Sequence, residues 1–137
     1  MRKRTGRTAV LLRASFVFVI LLVSFATAQE KSSSGESLRS VAERYWDLRM
    51  GGKFEETYKV EDKEGLPPFE TYRGEAGKIR GLDIASYRVK DASEAGGKGL
   101  VIVEFLLRFQ GPPKPIPEDM KDQWVYKEGR WLHVFPK

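Results

Sequence analysis

The chain contains no cysteine and a single histidine, His133. Without thiols no disulfide can hold a small domain together, so the hydrophobic core must do so alone. Zinc centres of the thiolate or poly-histidine kind cannot be assembled either. No Gly-x-Ser-x-Gly turn is present to carry a serine nucleophile. The glycine cluster Gly96-Gly97-Lys98-Gly99 leads into a strand pattern, whereas a phosphate loop needs a helix behind it. Neither a metal nor a cofactor is expected.

An excess of one charge is also lacking once the first 28 residues are set apart. The chain has 24 basic and 19 acidic residues. Five of the basic ones, Arg2, Lys3, Arg4, Arg7 and Arg13, precede Gln29, and no acid does, which leaves 19 of each sign. The high isoelectric point therefore belongs to the leader, and the remainder is not expected to bind nucleic acid or an anionic membrane surface.

The leader itself has a recognisable order. Its basic start gives way to an apolar run, Ala14 to Phe25, and ends in Ala26-Thr27-Ala28. Basic, apolar, then small residues at −3 and −1 is the pattern of a secretory signal peptide. The apolar run is shorter than the roughly 20 residues of a spanning helix. The expected organisation is a signal peptide over 1–28, a polar linker over 29–36 and one domain over 37–137, exported to a periplasm or secreted. No membrane association is expected after cleavage, and with no cysteine present no lipid anchor can follow the signal.

Within the domain, the hydrophobic period changes once. Leu38, Val41, Ala42, Tyr45 and Leu48 form a helical stripe, with Ser37 as N-cap and Gly51-Gly52 as stop. A second helix is predicted from about Lys53 to Val60, with Phe54 and Tyr58 inward, and a charged loop over Glu61 to Leu66. Phe69, Tyr72, Ala76 and Ile79 mark a third helix, shortened by Gly74, Gly77 and Gly81. From Ile84 the period becomes that of strands. Ile84 to Asp91 and Leu100 to Phe109 are predicted strands joined by a loop over Ala92 to Gly99. Val101, Val103, Phe105, Leu107 and Phe109 face one side. Leu100, Ile102 and Leu106 share the other with Glu104 and Arg108. Gly111 to Glu118 reads as too proline-rich to pair, and its four prolines as a stiff connection. Lys121 to Lys127 and Arg130 to Phe135 form a last hairpin. A positive φ is unfavourable for Glu128, so a three-residue turn over Lys127 to Gly129 is expected, which sets Trp124 opposite Leu132. Helices followed by a meander imply an α+β fold, with three N-terminal helices on one face of a curved, mainly four-stranded antiparallel sheet.

Three stretches carry a family resemblance. "AERYWDLRMGGKFEETYKV" is an aromatic helix, a glycine stop and a following helix. "YRGEAGKIRGLDIASYRV" leads from the third helix into the first strand. "DQWVYKEGRWLHV" is a pair of tryptophan strands around a charged glycine turn. Together they resemble the nuclear transport factor 2-like superfamily, the cone-shaped fold shared with ketosteroid isomerases and small secreted proteins. The resemblance implies a binding or interaction domain with an aromatic-lined pocket. Its lining is expected from Tyr45, Tyr58, Tyr72, Phe105, Trp124 and Trp131, around a small apolar ligand. The enzymes of the superfamily act through cone-lining tyrosines and aspartates. Here Tyr45 is an inward phenol, but no acid is apparent opposite it, so no catalytic residue is assigned. His133 reads as a sheet histidine with a satisfied ring. The alternatives are an isomerase- or hydratase-like enzyme, and an envelope accessory subunit docking through the sheet. The stripe of Leu100, Ile102 and Leu106 predicts a homodimer through the uncovered sheet face.

The exported product is expected to begin at Gln29 or within a residue or two of it. Intact-mass measurement of the secreted protein checks this, and a full-length mass in the membrane fraction would refute it.

Overall fold

A computed structural model describes residues 35–137. The expected signal peptide over 1–28 and residues 29–34 of the expected linker lie outside the described residues. Ser37 caps α1 (Leu38–Met50), its hydroxyl accepting from the Ser40 amide at 3.2 Å. The stripe of α1 buries Leu38, Val41, Ala42, Tyr45 and Trp46. Gly51 ends the helix, and Gly52 turns the chain at φ 74°. Two shorter helices follow, α2 (Phe54–Tyr58) and α3 (Phe69–Gly77), the latter running into a 3-10 turn at Lys78–Gly81. The second helix is thus shorter than its apolar pattern predicts, and Val60 is already paired with the sheet.

Among the described residues four strands complete the fold: β1 (Ile84–Ala95), β2 (Lys98–Leu107), β3 (Ile116–Lys127) and β4 (Arg130–His133). They form one curled antiparallel meander in the order β1-β2-β3-β4. The α+β architecture is the expected one. Val101, Val103 and Phe105 of β2 face the helices and are buried with Trp124 and Trp131. Gly99 lies where β2 meets α1. A Cβ there would stand 2.7 Å from Leu38 Cδ2 and 3.1 Å from both Trp124 Cβ and Trp131 Cζ3, so only glycine lets these side chains meet over the strand.

Several boundaries differ from the sequence pattern, each for a physical reason. The loop expected over Ala92 to Gly99 shrinks to the two residues Gly96-Gly97, both at positive φ, because two glycines make the tightest hairpin turn at no steric cost. Pro117 and Glu118, expected in a loop, pair with Leu106 and Phe105. β4 reaches only the Trp124–Lys127 end of β3, so the start of β3 is a sheet edge, where a residue without N–H is tolerated. Phe109 lies past the end of β2 and is 51% exposed, not inward, since the pairing that would hold it stops at Leu107.

On β1 the register slips between Val89 and Asp91, a bulge that sharpens strand twist. Arg39 of α1 reaches this bulge and donates to the carbonyls of Val89 (2.9 Å) and Lys90 (3.4 Å). On the face away from the helices, Arg88 pairs with Glu104 at 2.8 Å and Lys90 with Asp119 at 2.7 Å. These side chains cross the middle of the apolar stripe, while Leu100 stays 39% exposed.

The last turn overturns the expected register. Trp124 stands opposite His133 and Tyr126 opposite Trp131, so the turn has two residues, Glu128 at φ 52° and Gly129 at φ 78°. A left-handed residue with a Cβ costs about 1–2 kcal/mol. The alternative register would turn Trp131 and His133 outward and Leu132 inward. Burying an indole and pairing His133 with buried carboxylates outweighs that local cost. Replacing Glu128 by Asn, which tolerates this conformation, is expected to stabilise the domain by about 0.5–1 kcal/mol. Urea unfolding of Glu128→Asn checks this, and an unchanged or lower midpoint would count against it.

Candidate functional site

The inward register of β4 carries His133 into the core, where its ring is fully buried. Nδ1 lies 2.6 Å from Glu61 Oε2, and Nε2 lies 2.6 Å from Asp122 Oδ1. A neutral imidazole has one N–H, but two carboxylates face this ring, so both nitrogens donate and the ring is an imidazolium. Burial alone would depress its pKa. The charge of Asp122 and hydrogen bonds to Asp122 and Glu61 overcome that and push it up to about 9.

Both carboxylates have further donors. Asp122 Oδ2 accepts from the indole N–H of Trp46 (2.9 Å) and of Trp124 (3.2 Å). Glu61 Oε1 accepts from the Tyr45 hydroxyl at 2.5 Å and lies 2.8 Å from the Tyr72 hydroxyl, which is equally close to Thr57 Oγ1. Burial first, and then the negative charge of Glu61, hold both phenols well above their ordinary range, so they remain donors. The Tyr45 ring stacks on His133 with centroids 4.5 Å apart. Arg49 donates to the Tyr45 hydroxyl at 3.2 Å and lies over Trp46, 4.9 Å from its ring. Its Nε is buried with no hydrogen-bond partner among the described residues. Two carboxylates, one imidazolium and one guanidinium sum to zero charge, which makes so polar a cluster tolerable inside a small domain.

Of the six aromatic residues expected to line a pocket, the structure gathers Tyr45, Tyr72 and Trp124 around this cluster. Phe105 and Trp131 are buried in the same core, and Tyr58 is half-buried beside Phe69 and Tyr72. Glu61 and Asp122 are the acids missing from the sequence reading. Glu61 sits in a run of charged residues and is nonetheless buried, because the Glu61 backbone bridges to His133 and turns the side chain inward. Asp122 had a signal: it is two residues from Trp124 and therefore shares its inward face. Among the described residues, several grooves border none of Tyr45, Glu61 and His133. One of about 720 Å³ lies on the other face of the sheet, with Leu100, Val125 and Val134 between Lys98 and the Lys127–Asp62 ion pair.

Comparison with solved structures places this geometry. A Campylobacter jejuni protein described as a "putative NTF2-like transpeptidase" (nuclear transport factor 2-like) superposes with a TM-score of 0.54 at 9% identity, covering 74% of this chain and 100% of that one. A SEC-C motif containing protein from Rhodopseudomonas palustris gives 0.55 at 20% identity, covering 72% and 76%. The fold is nuclear transport factor 2-like. At these identities the likeness speaks for the fold alone. No family model matches the chain, and no curated protein matches it in sequence.

The histidine generates a pH dependence of known sign. Below about pH 6.5 the ring is protonated whether the chain is folded or not, and its contribution is fully present. Between about 6.5 and 9 only the folded state keeps the proton, so stability falls as pH rises and this contribution is gone above about 9. The loss is of order 3 kcal/mol. Urea midpoints measured from pH 6 to 9.5 are expected to decline for the parent and to stay nearly level for a His133→Gln variant that folds. A parent curve flat over this interval would rule out the buried imidazolium.

Proposed function

We propose that this protein is an exported, non-enzymatic binding domain whose aromatic interior is the candidate chamber for a small apolar ligand. Tyr45, Tyr58, Tyr72, Phe105, Trp124 and Trp131 are its candidate lining. The observation that carries this reading is the saturation of the buried acids and base. Glu61, Asp122 and His133 satisfy one another and the aromatic N–H and O–H groups around them. Such a cluster fixes the surrounding rings in place and leaves an apolar ligand only their faces to meet. A general acid or base needs instead a group left open towards substrate. The signal-like leader supports export, and the exposed Leu100 on the outer face supports a second copy of the chain as an additional partner.

A second reading, a small-substrate enzyme, is favoured by the 2.5 Å contact between the Tyr45 hydroxyl and Glu61, a phenol and a carboxylate together in a desolvated place. Titration with the neutral apolar fluorophore N-phenyl-1-naphthylamine tests the binding reading. Saturable one-to-one binding that alters tryptophan emission is expected, weakened when Tyr72→Ala removes one wall. A signal that never saturates, or one unaffected by Tyr72→Ala, would refute an interior chamber.

A further inference from the structure

The chain between α1 and β1 is built as a closed excursion. It leaves α1 at Gly51-Gly52, runs through α2 and α3, and returns at Gly81. The Arg80 side chain reaches from one end of it to the other: a Cβ on Gly52 would stand 2.5 Å from Arg80 Nη1. Gly52 has φ 74°, and nothing lies within 4 Å of the Cβ position of Gly81, so both ends of the neck have the backbone freedom of a hinge. Many of the polar bonds inside the excursion are its own. Tyr72 bonds Thr57 and Glu61, Thr57 bonds the Phe54 carbonyl at 3.1 Å, and Tyr58 bonds the Pro67 carbonyl at 2.9 Å.

Beyond the neck, the polar ties to the sheet are concentrated in one short stretch. The Asp62 amide donates to the His133 carbonyl at 2.7 Å, and the His133 amide to the Val60 carbonyl at 2.9 Å. Lys127 holds Asp62 at 2.8 Å and Glu64 at 3.4 Å. At the centre, Glu61 takes the Tyr45 hydroxyl and the His133 ring. The Tyr72 ring closes over Phe135, with centroids 5.1 Å apart. A segment tied at a glycine neck and at one opposite point can swing only by releasing that point.

We propose that residues 53–81 form a hinged lid over the aromatic interior, and that the Glu61 carboxylate is its latch. Glu61 is a positioning residue here: it holds the lid down by bonding β4 and α1. Opening withdraws Glu61 and Tyr72 from the core and uncovers Tyr45 and His133. This inference rests on the interior chamber proposed above and supplies its entrance.

Native-state hydrogen exchange on the ligand-free protein tests the lid independently of any ligand. In the parent, amides of α2 and α3 are expected to share one opening step that needs less denaturant than exchange from β2 and β3. In Glu61→Gln, which keeps shape but cannot accept from all its donors, those amides should exchange about tenfold faster or more. Amides of β2 and β3 should still need the higher denaturant concentration, because the step from open lid to unfolded chain does not involve the latch. Should Glu61→Gln fail to fold, the parental denaturant series decides alone. Exchange of α2 and α3 that merges with global unfolding in the parent, or α2 and α3 amides whose rates Glu61→Gln leaves unchanged, would overturn the lid. A selectively opening lid in a protein that never binds N-phenyl-1-naphthylamine saturably would leave the lid standing and remove the chamber reading.

Discussion

The imidazolium of His133, held between Glu61 and Asp122, is the constraint on which most of the core depends. A buried charge is tolerated only when its neighbours are fixed, and here each neighbour is anchored from a different element. Asp122 comes from β3 and is held by an indole of α1. Glu61 comes from the connection after α2 and is held by phenols of α1 and α3. The cluster thus joins nearly every layer of the domain through charge-assisted bonds. Removing one member leaves the others charged and unpaired, at a cost of about 3–5 kcal/mol, whereas an apolar core of the same volume need be no less stable. The cluster links α1, β3, β4 and the segment after α2 in a domain that has no disulfide to do so.

The same cluster explains why a two-residue turn containing Glu128 is retained. Local preference and core chemistry disagree at this position. A three-residue turn would relax Glu128 but would turn His133 to the far side of β4 and leave two carboxylates without their shared donor. The local strain is of the order of 1–2 kcal/mol, and the loss of the cluster is larger. Register is decided in the core, and the turn adapts to it.

What could be read from the sequence follows from this division. The first helix was legible because its cap, stripe and stop agree locally. The strands were legible because alternation and paired glycines agree locally as well. The architecture follows from those elements. The site was only half legible. Tyr45, Tyr72 and Trp124 lie on inward faces that periodicity reveals. Glu61 does not, because its neighbours Asp62, Lys63 and Glu64 make a solvated pattern and its burial depends on a bridge to β4, 72 residues away. Asp122 was accessible to the same alternation that places Trp124, and only its partner His133 depends on the two-residue register. Phe109 shows the converse: alternation continued in sequence after the partner strand had ended.

The contact between Arg39 and the β1 bulge bears on behaviour outside the folded monomer. An open sheet has two edge strands, each presenting unpaired amides and carbonyls to any other extended chain. In this domain both margins are blunted by different means. Beside β4, the Val60 carbonyl and Asp62 amide occupy groups of His133 that would otherwise be offered outward. On β1, the bulge breaks the flat template and a guanidinium occupies two successive carbonyls. A protein that folds without covalent staples passes through states in which strands are exposed, and a capped margin limits strand-to-strand fibre growth once the sheet has formed. Arg39 therefore closes part of a sheet edge as well as serving α1.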